Sequence, residues 1–145
     1  MSAFTMSKSE REAFLADLHV GVLSVADGTR GPLTVPVWYI YEPGGDVWFS
    51  TGRESEKARL LRGVSRASLV AQTETAPYQY VMVECLVSFG PADYEQHLRP
   101  MAHRYLGEKG GEAYLRSTGS EAGVAGSLIV RITPDRWRTV DYGKR

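Results

Sequence analysis

The sequence has little cysteine and no excess of charge. A single cysteine, Cys85, excludes an internal disulfide and a thiolate-cluster metal site. The 17 Lys and Arg residues balance the 17 Asp and Glu residues, so the formal net charge is zero. Domains that bind nucleic acid usually carry a basic excess. We therefore expect no nucleic-acid partner.

Long hydrophobic runs are also missing. No apolar stretch approaches the roughly 18 residues that a membrane-spanning helix requires, and the longest candidate, residues 35–41, contains a proline. Charged residues interrupt the first dozen positions, which argues against a secretory hydrophobic region there. These features predict a cytoplasmic protein that has no membrane partner.

What the sequence does have is enough apolar material for one core. Its 145 residues are 43% hydrophobic, which suits a single folded domain over residues 1–145. Capping-box spacing at Ser7 and Glu10 predicts a helix over residues 7–19. Turn signals at 27–28 and 43–45 then separate strands predicted at 20–26, 33–41 and 47–51. This pattern indicates an antiparallel meander.

The second half continues the mixture of strands and short helices. A capped helix is predicted at 55–63, and further helices are predicted at 93–106 and 112–116 with glycines between them. The glycine-containing segment 117–126 is the best candidate for a loop or lid. Strands are predicted at 67–74, 79–89, 127–133 and 136–141, the last two hinged at Pro134-Asp135.

Strand 79–89 alternates between two faces. One face is wholly apolar and includes Cys85, which favours a small core residue there over a nucleophile. The opposite face is mixed, which suits a closed barrel or an interface better than a solvent-facing strand.

Common catalytic motifs are absent. His97 and His103 are six positions apart, so on a helix they face different directions and cannot chelate one ion. No hydrolase, zinc-protease, phosphate-loop or complete dinucleotide motif is present. We therefore name no catalytic residue and no metal ligand.

The most informative stretch is residues 47–57. A strand ends in the hydroxyls of Ser50 and Thr51, and a helix then begins with Ser55 as its cap and Lys57 in its first turn. A helix N-terminus favours acids, so a lysine there suggests an anionic ligand such as a phosphate. A solvated basic face is the alternative, because cations outnumber acids five to two over residues 53–66. These cations are Arg53, Lys57, Arg59, Arg62 and Arg66.

A second unusual feature is Pro36 within strand 33–41. Proline has no N–H to donate to a strand ladder, so this strand must be an edge, contain a bulge, or lie against something other than a strand. A flat ring is one such neighbour. An ordinary edge strand with a core tryptophan, Trp38, is the alternative.

The order of these motifs resembles the pyridoxamine 5′-phosphate oxidase-like split-barrel family, and most of all its flavin- and deazaflavin-dependent reductase branch. The resemblance covers nearly the whole chain. It rests on the first helix followed by GVLSV at 21–25, PVWY at 36–39, FST at 49–51, S-x-K at 55–57, YVMVE at 80–84 and RWRTVD at 136–141.

The resemblance implies an all-β fold with short helices, a six-stranded antiparallel split β-barrel that forms a homodimer. It implies two equivalent sites for FMN or the deazaflavin F420 across the dimer interface. Ser50, Thr51, Ser55 and Lys57 would then hold the cofactor phosphate. Beside the ring would lie Thr34, Val35, Pro36 and Trp38, and Tyr78 would reach the site from the partner subunit.

Two departures from the family pattern decide the expected activity. Glu56 stands where FMN-binding members tend to have arginine, and the chain lacks the arginine-bearing tail that binds the vitamin substrate. We therefore expect a hydride-transferring oxidoreductase that uses F420, with FMN as the alternative, and a small conjugated organic substrate. A barrel dimer that binds a flavin, deazaflavin or haem-like ligand without turnover is the other hypothesis.

Overall fold

The first helix forms as its capping box predicts. In the computed structural model, which describes residues 2–118 and 121–144, α1 spans Lys8–Ala16. The Ser7 hydroxyl accepts a hydrogen bond from the Glu10 N–H (3.2 Å), and the Glu10 carboxylate accepts one from the Ser7 N–H (2.8 Å). Phe14 and Leu15 are buried. The helix ends three residues before the predicted position 19.

The strands form one antiparallel sheet. Their order from edge to edge is β2-β1-β5-β6-β7-β4-β3, numbered along the chain. The bounds are β1 Val20–Asp27, β2 Arg30–Trp38, β3 Ile40–Tyr41, β4 Val47–Gly52, β5 Arg66–Gln72, β6 Gln79–Pro91 and β7 Ser127–Asp141.

The sheet has seven strands, so the expected number of six is wrong. The predicted strand 33–41 is divided at Tyr39, whose N–H donates to the Tyr105 hydroxyl (3.0 Å). As a result β2 and β3 are consecutive in the chain but lie at the two edges of the sheet. The sheet must roll for its edges to meet at this residue. Its ladder of hydrogen bonds does not close there within the described residues.

The two strands predicted at 127–133 and 136–141 form a single strand, β7. Cys85 pairs with Pro134 and Glu84 pairs with Arg136, so Asp135 is the extra residue of a β-bulge. Proline fits beside a bulge because no ladder hydrogen bond needs its missing N–H. The predicted hinge therefore bends the strand without ending it. β7 lies between β6 and β4 and joins the two parts of the sheet.

Most of the helical residues lie in the part of the chain that connects β6 to β7. A π-helix, Tyr94–Leu98, leads into α3, Arg99–Thr118, which is interrupted at Gly107 (φ 77°) as its glycine predicts. The predicted second break at 110–111 is absent. The loop predicted at 117–126 is wrong for part of its length, because α4 spans Glu121–Ala125; positions 119 and 120 lie outside the described residues.

Close packing explains why Gly111 sits inside a helix. A Cβ at this position would lie 2.7 Å from the His103 Cδ2 atom and 3.0 Å from the His103 Cα atom. Glycine thus allows the two parts of α3 to approach each other. Glu112 fastens them, because its carboxylate contacts the His103 Nε2 atom at 2.8 Å and also pairs with Arg99.

The core contains the apolar face predicted for β6. Val81, Val83 and Cys85 are fully buried. Burial raises the pKa of the Cys85 thiol to about 12, so it stays protonated and acts as a small core residue. Phe89, farther along the same face, is 40% exposed. Among the described residues, no helix has both the length and the apolar character needed to cross a bilayer.

Candidate functional site

A cavity of about 530 Å³ lies beside the edge strand β2. Strands supply one part of its wall and the helices before β7 supply the other. Its lining residues are Val20, Pro36, Val37, Trp38, Ser50, Lys57, Leu98, Met101, Ala102, Tyr114, Leu115, Thr118, Gly123 and Ser127. The cavity therefore brings together four of the nine residues that the sequence predicts for the site.

Strand β2 supplies Pro36 and Trp38. It is an edge strand, which is one of the alternatives that the proline leaves open, and Pro36 is exposed on its outer face. Alternation places Thr34 on that same face, where its hydroxyl donates to the Pro32 carbonyl oxygen (3.2 Å). Val35 has the opposite orientation and packs against the hydrophobic core. Thr34 and Val35 do not line the cavity.

Two tyrosines of α3 fix the Trp38 ring. The Tyr105 ring stacks on it with centroids 4.9 Å apart and an interplanar angle of 3°. Tyr114 contacts it in a tilted arrangement at 5.9 Å. One face of the indole is therefore covered by protein, and the tryptophan forms a rigid part of the cavity wall.

The chain around Tyr105 is itself anchored to the backbone. Its hydroxyl accepts the Tyr39 N–H (3.0 Å) and donates to the His19 carbonyl oxygen. The neighbouring Arg104 donates to the carbonyl oxygens of Ala16 and Asp17, at 2.8 Å each. These bonds hold the first part of α3 against the end of α1 and against the junction between β2 and β3.

Ser50 and Thr51 lie on opposite faces of β4. Ser50 lines the cavity, whereas Thr51 is 7% exposed and points to the interior. Strand alternation alone separates these neighbours, so the strand pattern could have distinguished them. The Thr51 hydroxyl instead shares a 2.9 Å hydrogen bond with the Ser55 hydroxyl.

Ser55 is the N-cap of α2, which spans Glu56–Arg62. Its hydroxyl accepts the Ala58 N–H at 3.1 Å, as the sequence predicts for a cap. With Thr51 as its other partner, this hydroxyl has a structural task in the described chain. Ser55 is not among the residues that line the cavity.

Lys57 differs from the other cations of residues 53–66. Arg53 donates to the Ala125 carbonyl oxygen (3.0 Å), and Arg62 donates to the Arg53 carbonyl oxygen (2.8 Å). Ion pairs connect Arg59 to Glu56 and Arg66 to Asp135. Lys57 is half-buried and has no ion-pair partner in the part of the chain that the structure describes. It is therefore the cation of this segment that is available to a ligand.

Tyr78 lies apart from the other predicted site residues. Its side chain is 55% exposed and does not line the cavity. Its backbone carbonyl oxygen accepts the Tyr142 N–H (3.0 Å). The predicted contact of Tyr78 with a site in a second subunit remains a prediction.

Sequence reasoning missed the helical half of the cavity. Leu98, Met101 and Ala102 line it, and their spacing of three and four residues continues to Tyr105. That spacing marks one face of a helix and could have indicated a wall. Nothing in the sequence, however, indicated which strand this face would cover.

The histidines have separate neighbours, as their spacing predicts. The His97 ring meets the Trp48 ring edge-on at 5.0 Å, and its Nδ1 atom accepts the Asp93 N–H (2.9 Å). Burial lowers the pKa of His97. His103 faces Glu112 instead. Within residues 2–118 and 121–144, no group of three or more potential ligands could hold a metal ion.

The lining of the cavity fits an anionic ligand that also has apolar surface. Lys57 is the one charged side chain among the described lining residues, and no carboxylate opposes it. Ser50 and Ser127 contribute hydroxyls, and Pro36, Trp38 and Met101 contribute apolar surface. This donor set fits a cofactor with a phosphate at one end and an aromatic ring system at the other.

Comparisons with known proteins show which family and which solved structures this chain is similar to. A family model described as pyridoxamine 5′-phosphate oxidase matches residues 7–141. A conserved hypothetical protein from Mycobacterium tuberculosis is similar in structure (TM-score 0.80, 22% identity, 99% of this chain and 90% of that one). A protein named F420 reductase is also similar (TM-score 0.72, 20% identity, 88% and 94%).

A third similar structure is the FAD and heme binding protein from Mycobacterium smegmatis. Its TM-score is 0.73 at 13% identity, and the match covers 97% of this chain and 73% of that one. No curated protein sequence matches the chain. At these identities the solved structures establish the fold.

Proposed function

Because this chain belongs to the pyridoxamine 5′-phosphate oxidase family, we propose that it is an oxidoreductase that binds F420 or a flavin in the 530 Å³ cavity. Its substrate in this proposal is a small conjugated organic molecule. The observation that carries the proposal is the position of Lys57, which has no ion-pair partner among the described residues and lies in the same cavity as Pro36 and Trp38.

In this proposal the chain's own residues bind the cofactor, orient it and exclude water from it. Lys57 and Ser50 would hold the cofactor phosphate, and Pro36 and Trp38 would lie beside its ring. When bound, F420 or a flavin supplies the hydride chemistry, so the protein needs no strong acid or base of its own. This agrees with the lining, which contains no carboxylate and no histidine among the described residues.

The remaining residues implied by the family resemblance have less direct roles in this proposal. Thr51 and Ser55 support the start of α2 through their mutual hydrogen bond. Thr34 and Val35 belong to the strand that carries Pro36 and Trp38. We retain Tyr78 as a contribution from the second subunit of a homodimer.

We favour F420 over FMN because Glu56 replaces a phosphate-binding arginine of FMN-dependent members. The structure gives Glu56 a partner of its own, Arg59. The polyglutamate tail of F420 would need cations other than these arginines, because Arg59 pairs with Glu56 and both Arg53 and Arg62 donate to backbone carbonyl oxygens. Fluorescence titration with both cofactors decides between them. Micromolar FMN binding without an F420 response would establish the alternative.

Replacement of Lys57 tests the cavity itself. Lys57→Ala removes a charge-assisted hydrogen bond worth roughly 1.5–3 kcal/mol, so cofactor affinity should weaken about 10- to 150-fold. The matched control is Arg66→Ala. Arg66 pairs with Asp135 outside the cavity, so its loss should change affinity less than about threefold. Equal effects of the two substitutions would contradict a phosphate site at Lys57 and support the alternative, an ordinary solvated basic face.

A binding protein without turnover is the second candidate. One structurally similar protein is named for binding FAD and heme. Incubation with reduced cofactor and a panel of conjugated acceptors separates the candidates. Oxidation of bound cofactor faster than in free solution supports the oxidoreductase, and equal rates support storage.

A further inference from the structure

A second cavity lies where the N-terminal segment meets the far part of β7. β4 pairs with residues 127–132 of β7, so the later part of β7 extends past it. The Met6 N–H donates to the Thr139 hydroxyl there (3.0 Å). The cavity has a volume of about 260 Å³, and we call it the arginine cleft. It is lined by Thr5, Met6, Arg11, Met82, Glu84, Arg136, Trp137, Arg138 and Thr139.

The arginine cleft carries an excess of positive charge. It contains three guanidinium groups and one carboxylate, that of Glu84. The closest contact between the Arg136 Nε atom and Glu84 is 3.5 Å. Arg11 and Arg138 have no ion-pair partner in the described residues. Guanidinium groups do not lose their charge in proteins, so this excess of positive charge persists at any physiological pH.

Arg11 also has an unused hydrogen-bond donor. Its guanidinium lies 4.6 Å from the centroid of the Trp137 ring, which fixes the plane of the group. Tyr41 also contacts the Trp137 ring, edge-on with centroids 6.1 Å apart. The Arg11 Nε atom is buried and has no hydrogen-bond partner in the described chain. A buried donor without a partner is costly.

We propose that the arginine cleft binds a small oxyanion with at least two negative charges, either a phosphate group or a polycarboxylate. Such an anion would neutralise the excess charge and give the guanidinium groups paired acceptors, which their planar forks suit. The cleft shares no lining residue with the cavity around Lys57. This inference therefore does not depend on the proposed cofactor.

Calorimetric titration of the full chain with inorganic phosphate and, separately, with citrate tests the proposal at constant ionic strength. We expect binding of at least one of them, and the preferred anion identifies the ligand class. Arg138→Gln and Arg11→Gln should each weaken this binding about tenfold or more. Arg136→Gln is a further variant that leaves packing intact, because its side chain is 73% exposed.

Arg116→Gln is the matched control. Arg116 is exposed on α3 and lines neither cavity, so its loss should change affinity less than about twofold. Circular dichroism establishes that each variant is folded. Absence of binding at millimolar concentrations of either anion would overturn the proposal. So would equal weakening by Arg116→Gln, or complete competition by chloride, since either would indicate a general charge effect.

Discussion

Tyr105→Phe removes one hydroxyl that stabilises the junction between β2 and β3. This hydroxyl occupies the point where β2 ends and β3 begins, and it accepts the N–H of the fully buried Tyr39 at 3.0 Å. It also donates to the His19 carbonyl oxygen. Phenylalanine keeps the ring that stacks on Trp38. The substitution therefore removes hydrogen bonds without removing the aromatic contact.

The expected loss follows from the two groups left without a partner. An unsatisfied buried N–H costs about 1–3 kcal/mol, and a lost hydrogen bond to a carbonyl costs about 0.5–1.5 kcal/mol. We expect Tyr105→Phe to lower the free energy of unfolding by roughly 2–4 kcal/mol. For a domain of this size, that corresponds to a fall in Tm of roughly 5–15 °C.

Tyr114→Phe provides the control for this measurement. Tyr114 also contacts Trp38, but it is 44% exposed and its hydroxyl has no partner in the described residues. Its loss should cost less than about 0.5 kcal/mol. Urea unfolding followed by circular dichroism compares both variants at one protomer concentration, because self-association would shift the midpoint. Equal stability of the two variants would refute this account of the junction.

Further expectations concern packing, capping, pH and assembly. Gly111→Ala should cost roughly 1–3 kcal/mol in urea unfolding because its Cβ would meet the His103 backbone. Ser55→Ala should cost about 1 kcal/mol in the same assay through loss of the cap. Burial lowers the pKa of His19 below its ordinary value of 6.5. The unfolded chain therefore binds more protons than the folded one as the pH falls through about 6.5, and the free energy of unfolding decreases. Thermal unfolding at about pH 7.5 and 5.5 should show this fall, and His19→Phe should reduce it. Light scattering should give a mass twice the 16.0 kDa of one chain; a monomer alone would contradict the dimer.

Local signals predicted much of this fold. The capping box of α1 and the cap of α2 follow from short-range chemistry, and both are present. The proline of β2 limited that strand to a few alternatives, of which the edge position is the one observed. Helix caps and strand prolines are decided by atoms within a few residues of each other. This is why such features can be predicted without the rest of the chain.

Features that depend on distant contacts could not be predicted in this way. The division of strand 33–41 depends on Tyr105, which is 66 residues from Tyr39. The continuation of α3 through Gly111 depends on His103 packing, which offsets the low helix propensity of glycine. Thr51 is a different case, because the alternation of β4 already separates it from Ser50, and its hydroxyl pairs with the nearby Ser55.

The position of β7 has a consequence for the order of folding. Without it, the sheet falls into two parts, β2-β1-β5-β6 and β4-β3. The hairpins β1-β2 and β5-β6 pair residues that are close in sequence, whereas Gly52 of β4 pairs with Ser127 of β7. Long loops must close before such pairs form, which slows folding. The β2-β1-β5-β6 part can therefore form as the ribosome releases the chain, but the complete sheet waits until β7 has emerged.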